Sequence, residues 1–295
     1  MMPIGIWDGL ILIISKMKIL TFDIEDWFHC DMISDISTWS QYKTRIHESL
    51  DKILLFLSEN DQKATFFVLG WMAEKYPEII HRIKKENHEI GCHSYKHELV
   101  YKMTKSQFKQ DTEKSIKYIE DCTGEKVTLY RAPAFSITKS AIWAFEVLSE
   151  LGIEFDCSVF PAERDYGGFS TFKLSEPAII KHENFIIKEF PMNYHHIFNK
   201  RIIFSGGGYF RMVPYFLIKN WILKSDYVMS YFHPRDFDFK QPMLKHLPFA
   251  RKVKSYYGLK NSFSKFKKLI SDFNFVSINE ASKIIDWNHV KTIEL

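Results

Sequence analysis

This chain is poor in sulfur chemistry. Its 295 residues hold four cysteines (Cys30, Cys92, Cys122 and Cys157), and none forms a Cys-x-x-Cys pair. That spacing argues against a disulfide framework and suits reduced, buried thiols in a cytoplasmic protein. Runs of about 18 apolar residues are absent, so no membrane-spanning helix is expected. The apolar segment Ile4 to Ile14 is short and lacks a basic flank and a small-residue cleavage site, which makes it a poor signal peptide. Met17-Lys18-Ile19-Leu20 reads as the opening of a first strand, so residues 1–16 are expected to be an extension or alternative start with no catalytic role. Without a Gly-x4-Gly-Lys-Ser/Thr spacing the glycines at 206–208 do not form a phosphate cradle, and without a Gly-x-Ser-x-Gly elbow a serine hydrolase is disfavoured. A net charge of +4 is too small to argue for nucleic acid.

Aromatic rings are plentiful, at 26 Phe and 14 Tyr. Such rings serve either a packed core or a cleft that stacks on the apolar faces of sugars. Charge is uneven: Phe239 to Ser271 contains no Asp or Glu, yet holds Lys240, Lys245, Arg251, Lys252, Lys254, Lys260, Lys265, Lys267 and Lys268. A solvated helix face competes there with a patch for anionic lipid, lipid phosphate or acidic glycan.

Strand-like and helix-like stretches alternate along the chain. Strands are expected at Lys18–Phe22, Ala64–Leu69, Glu89–His93, Val127–Arg131, Glu154–Val159, Tyr227–Phe232 and Phe275–Ile278. Helices are expected at His47–Asn60, Trp71–Asn87 with a break or second start at Pro77, Thr104–Cys122, Thr138–Leu151, Val213–Lys224, Leu259–Ser271 and from Asn279 onward. Thr104 and Gln107 form a capping-box pattern, and Gly152 stands where a left-handed cap belongs. The section from residue 160 to 212 is less regular, and Gly206-Gly207-Gly208 reads as a loop close to a cleft. The rhythm predicts a parallel sheet with crossover helices in one domain over residues 17–295. Asp23, Glu25, Asp26, His93, His97, Arg131, Asp156 and His233 all fall at or just after strand ends. In a parallel barrel those ends share one rim, where active sites sit.

Two imidazoles four residues apart, His93 and His97, can face one point, and the carboxylates of Asp23-Ile24-Glu25-Asp26 supply a third ligand. Two His and one carboxylate with open positions form a catalytic metal pattern. His195-His196 reads as a surface pair.

These residues also resemble a family. Thr21-Phe22-Asp23-Ile24-Glu25-Asp26-Trp27-Phe28-His29 is similar to the first motif of the polysaccharide deacetylases, the NodB-like carbohydrate esterases of family 4, in a branch with Asp-x-Glu-Asp. His93-Ser94-Tyr95-Lys96-His97 resembles the family's His-Ser/Thr-x-x-His metal motif, and Arg131-Ala132-Pro133-Ala134-Phe135 its Arg-x-Pro motif. Asp156-Cys157-Ser158-Val159-Phe160-Pro161, Gly206-Gly207-Gly208-Tyr209-Phe210-Arg211 and Tyr231-Phe232-His233-Pro234 resemble further signatures of the branch. The six motifs run in order from Leu20 to about Asp238.

The resemblance implies a distorted parallel (β/α) barrel of seven strands and a metal-dependent deacetylase that releases acetate from an N-acetylhexosamine unit. It implies Asp23 as general base, Arg131 as its orienting cation and His233 as general acid. Asp156 would pair with His233, with loop capping as the competing role. His93 and His97 would hold a divalent metal, expected to be zinc, with Glu25 or Asp26 as carboxylate ligand. Trp27, Pro133, Phe135 and Tyr209 are the candidate substrate contacts, with packing the competing role for Trp27. Arg235-Asp236 stands where Trp-Glu is common in relatives, which bears on substrate more than on reaction. The expected partner is an N-acetylated glycan, or a glycolipid or nucleotide-sugar precursor of surface polysaccharide in the cytoplasm, with peripheral membrane contact through residues 239–271. The alternatives are an amidase acting on a small non-sugar amide and a catalytically silent glycan-binding module.

Overall fold

The computed structural model describes residues 16–295 except 30–32, 34, 165, 184, 198–199 and 245–246. The expected extension, all but Lys16, lies outside the described residues, as does Cys30. Strands β1 (Met17–Ile24), β2 (Thr65–Val68), β3 (Glu89–Cys92), β4 (Leu129–Tyr130), β5 (Phe155–Asp156), β7 (Phe185–Glu189) and β10 (Tyr227–Phe232) run parallel in the order β10-β1-β2-β3-β4-β5-β7. These seven strands match the number expected. Two more extend the sheet: β6 (Ala178–His182) pairs antiparallel with β7, and β11 (Lys291–Glu294) lies beyond it. A separate hairpin joins β8 (His195–Ile197) to β9 (Lys200–Ile202). His195 and His196 sit on it, half-buried and exposed, in keeping with a surface pair.

The barrel is not closed by a ladder. Among the described residues no strand pairing joins β7 to β10. The gap is crossed instead by the chain that follows β7: Asn193 Oδ1 accepts from Met229 N at 3.0 Å, and the Tyr227 hydroxyl donates to Pro191 O at 2.9 Å.

Helices α1 (Ile46–Glu59), α2 (Gly70–Lys75), α3 (Pro77–Lys85), α4 (Lys105–Thr123) and α5 (Trp143–Glu150) connect the first five strands. The expected single helix at Trp71–Asn87 divides in two, because Pro77 has no N–H to continue α2 and instead opens α3. The capping box at Thr104 and Gln107 forms, and Gly152 turns left-handed at φ 81°. Later come α6 (Gly207–Met212), α7 (Tyr215–Lys224), α8 (Phe249–Tyr256), α9 (Leu259–Asp272) and α10 (Ile278–Ile284). Gly207-Gly208 thus starts a helix rather than a loop. The strand expected at Phe275–Ile278 shrinks to one bridge between Val276 and Ile19. The irregular section hides β6 through β9, whose mixed polar and apolar residues carry a weak strand signal.

Every residue of β2 and β10 is buried, as a sheet covered on both faces requires. Along β1 the side chains alternate. Leu20, Phe22 and Ile24 join the large core under the helices, whereas Ile19 joins a smaller inner cluster with Phe67, Leu129, Phe155, Phe190 and Met229. Thr21 and Asp23 share the parity of Ile19. The same two-residue period that packs the strand therefore sets Asp23 on the inner face, at the rim.

Candidate active site

The site is assembled from strand ends. Immediately after β1 the chain makes a tight turn, in which Glu25 N donates to Asp23 O at 3.0 Å, and Glu25 stays on the inner face. After β3, His93 N still donates to Val68 O of β2, so the first imidazole is fixed by the ladder. The second arrives through a compact loop in which Ser94 (φ 65°) and His97 (φ 54°) are left-handed. Left-handed non-glycine residues cost roughly 1 kcal/mol each. The loop is held by His97 N donating to Ser94 Oγ, Ser115 Oγ donating to Ser94 O, and Tyr95 N donating to buried Asp111. Burial pushes the Asp111 carboxyl up to about 6.

Glu25 Oε1 lies 2.9 Å from His93 Nε2 and 3.0 Å from His97 Nε2. His93 Nδ1 lies 2.7 Å from Arg131 O, a group that can only accept. Nδ1 therefore carries the proton, and a neutral His93 presents its Nε2 lone pair to a carboxylate oxygen. Two facing acceptors at this distance need positive charge between them. A tetrahedral cation with bonds of about 2.0 Å sets its ligands about 3.3 Å apart, a few tenths from the spacing found here. The residues fit a divalent metal. Burial alone would raise the Glu25 carboxyl, but the charges of His97 and His233 and the close contacts with both imidazoles hold it well below the usual range.

Asp26, the alternative ligand, is a correction: its carboxylate is fully used elsewhere. Oδ1 accepts from Trp27 N, and Oδ2 accepts from Thr44 Oγ1, Arg45 N and Ile46 N, anchoring the start of α1.

Asp23 faces two ways. Oδ1 accepts from Arg131 Nη1 at 2.8 Å, and Oδ2 lies 3.8 Å from His233 Nε2. One oxygen is tied and the other looks into the cleft. Arg131 itself is fully buried. Its Nη1 also donates to Thr21 Oγ1 at 2.7 Å, and its guanidinium stacks 4.2 Å over Phe67.

His233 stands just past β10. Its partner is Asp236, whose Oδ2 lies 2.9 Å from His233 Nδ1 and also accepts His233 N. Arg211, buried, pairs with the other oxygen of Asp236. Burial pushes the His233 imidazolium toward the neutral form, opposed by the charges of Glu25 and Asp23. The expected pairing of Asp156 with His233 is a second correction. Asp156 accepts from Ser158 N and Oγ and bonds Glu189, and burial raises both carboxyls. Ser158 Oγ in turn accepts from Ala132 N, so this pair braces the turn after Arg131. Asp236 was legible as a residue three positions after His233 with Pro234 between, a helix-start pattern.

A cleft of about 200 Å³ opens over these groups, lined by Asp23, Glu25, His97 and His233 and walled by Phe135, Tyr209 and Tyr231. Phe135 and Tyr209 therefore stand where substrate contacts were expected. Trp27 and Pro133 do not. Trp27 is buried, donates to Lys43 O, and packs edge-on against Phe28 and Tyr42. Pro133 is buried in the turn behind Phe135. The basic stretch divides in use. Arg251 and Lys254 line the cleft, while Lys265 donates to the carbonyls of Phe210 and Val213.

Residues 15–155 match the family model for polysaccharide deacetylase, and residues 157–283 match a domain of unknown function, DUF3473. Both matched segments contribute strands to the same sheet. A peptidoglycan-N-acetylglucosamine deacetylase of Bacillus cereus is 35% identical over 100 residues, 34% of this chain and 36% of that protein. The chain spans between 18 and 36% of the length of such curated relatives. A candidate polysaccharide deacetylase from Mycobacterium smegmatis superposes with a TM-score of 0.66 at 17% identity, covering 95% of this chain and 93% of that one. A family 4 carbohydrate esterase pseudoenzyme from Bacillus anthracis superposes with a TM-score of 0.50 at 15% identity, covering 95% and 67%. At these identities the likeness is one of fold.

Proposed function

Since residues 15–155 match the polysaccharide deacetylase family model, we propose that the chain hydrolyses the N-acetyl group of an N-acetylhexosamine unit in a glycan or glycan precursor, releasing acetate and a free amine. The observation that carries this reading is the convergence of Glu25, His93 and His97 on one point beside an Asp23 carboxylate with one oxygen free. A pseudoenzyme can keep the fold, so it is these side chains, and not the superposition, that support catalysis.

A divalent cation held by Glu25, His93 and His97, zinc on the donor set, would supply Lewis acidity that polarises a carbonyl and acidifies water. Asp23 Oδ2 takes the proton of the attacking water, while Arg131 fixes Oδ1 and so the direction of the free lone pairs. His233 Nε2, across the cleft from Asp23, hands a proton to the departing amine nitrogen. Asp236 orients that ring through Nδ1, and Arg211 holds Asp236. The 3.8 Å between Asp23 and His233 is too long for a hydrogen bond, so Oδ2 is not tied to the imidazole. We assign the whole of residues 17–295 to this one catalytic unit.

We further read the substrate as a cytoplasmic precursor on a lipid or nucleotide carrier, processed beside a membrane. Cys92, Cys122 and Cys157 are free thiols, as a reducing compartment favours. Helix α8 buries none of its residues, exposes Phe249 at 82% and carries Arg251, Lys252 and Lys254, a composition suited to an anionic interface. Charge reversal at Lys252 and Lys268 should weaken sedimentation with anionic vesicles; unchanged sedimentation refutes the membrane reading.

Acetate release from N-acetylglucosamine oligomers by the metal-loaded chain and by Asp23→Asn tests the reaction. Release by the wild type, abolished in the variant with metal content intact, is expected. Full activity of Asp23→Asn, or no release from any N-acetylated sugar, overturns the reading.

A further inference from the structure

The cleft is more basic than the hydrolysis needs. Its wall holds five cations, Arg164, Arg211, Arg235, Arg251 and Lys254, against three carboxylates, Asp23, Glu25 and Asp236. All three carboxylates are committed: Asp23 to Arg131, Asp236 to Arg211 and His233, and Glu25 to the two imidazoles. Two of the cations are not. Among the described residues neither Arg164 nor Arg235 has an ion-pair partner.

Arg164 is held by its rings instead of by an acid. Its guanidinium lies 4.6 Å from the Phe160 ring centre and 5.1 Å from that of Phe135, a cleft-wall residue. Its Nη1 is shielded from water and finds no hydrogen-bond partner. Nη1 is too shielded to meet a ligand directly, but the half-buried guanidinium still sets an unneutralised charge in the cleft wall. Arg235 lies close enough to His29, His233 and Arg211 to disfavour the charged form of each. A guanidinium with no carboxylate of its own gains from an incoming anion. Arginine's planar fork also matches an oxyanion in a way that lysine does not.

We infer that Arg164 and Arg235 form an oxyanion subsite in the cleft, so that the substrate is an N-acetylated sugar bearing a phosphate or carboxylate next to the unit being hydrolysed. The inference rests on reading the cleft as an N-acetyl-sugar site and adds the charge of what enters it. Neutral oligomers would leave both guanidinium groups unmet.

Calorimetric titration of the full chain with N-acetylglucosamine 1-phosphate, N-acetylmuramic acid, N-acetylglucosamine and inorganic phosphate tests it. At least one charged sugar should bind about tenfold or more tighter than N-acetylglucosamine, an advantage that shrinks with salt. The Arg164→Gln, Arg235→Gln double variant should lose that advantage with the affinity for N-acetylglucosamine unchanged, and Arg164→Lys with Arg235→Lys should retain part of it as a folded control. Any anion affinity due to a bound metal persists in these variants, because its ligands are untouched. The sugar showing the larger advantage distinguishes phosphate from carboxylate. Equal affinity for charged and neutral sugars, an advantage that survives the double Gln variant, or inorganic phosphate binding as tightly as the sugar phosphate would overturn the inference. The absence of acetate release would count against the hydrolase reading alone, because the comparison reads binding.

Discussion

Replacing Arg131 with methionine should separate the two jobs of the Asp23–Arg131 pair. The guanidinium is fully buried, bonds Asp23 at 2.8 Å and Thr21 at 2.7 Å, and lies 4.2 Å over the Phe67 ring. Methionine fills much of that volume but leaves the Asp23 carboxylate, 2% exposed, without its cation. Removing one partner of a buried pair costs about 3–5 kcal/mol. Thr21 keeps an acceptor in Ser230 O at 2.6 Å, while Cys157 O loses the donor it had in Arg131 Nε at 3.3 Å. Adding Asp23→Asn removes the stranded charge, and the double variant should recover about 2 kcal/mol relative to the sum of the singles. Activity should not recover. A mispositioned or absent base costs about a thousandfold in kcat/KM, equivalent to about 4 kcal/mol of barrier. Urea unfolding of the four proteins measures the first effect, and acetate release measures the second. If Arg131→Met unfolds within about 1 kcal/mol of wild type, or the two substitutions add without coupling, the pair is not the anchor described here.

Glu25→Gln should abolish metal retention by elemental analysis, as should His93→Ala with His97→Ala, whereas Asp26→Ala should keep the metal and lose about 1–2 kcal/mol of stability through its helix-start bonds; metal lost from Asp26→Ala alone would reverse the assignment. His88 is buried with both ring nitrogens unbonded, and burial lowers its pKa from 6.5 to about 4. The folded chain then binds fewer protons than the unfolded one across that window, so stability should fall by about 3 kcal/mol as pH drops from about 6.5 to about 4. His88→Leu should remove that part of the slope in urea melts, and an unchanged slope would refute it. An alanine Cβ at Gly206 would stand 2.0 Å from Tyr231 O, against the strand that delivers His233, so Gly206→Ala should destabilise the fold and depress activity together. Gly124→Ala, at a left-handed cap in open space, should cost only about 1 kcal/mol and leave activity intact.

The sequence by itself determined the parallel α/β architecture and the order of the motifs. Hydrophobic period and capping residues are local properties, and in a parallel sheet strand ends must gather on one rim. That is why Asp23, Glu25, His93, His97, Arg131 and His233 could be placed together before any contact was known. Only the tertiary structure decided between Glu25 and Asp26, because the choice depends on the tight turn at Asp23 and on the amides of Arg45 and Ile46 arriving from 19 and 20 residues away. It also gave His233 to Asp236 and not Asp156, left Trp27 in the core, and brought Arg164 and Arg235 to one cleft from opposite sides of the section whose strands carry weak patterns. Those outcomes turn on which backbone N–H or guanidinium reaches a carboxylate first. That competition is settled across the fold, and spacing along the chain does not record it.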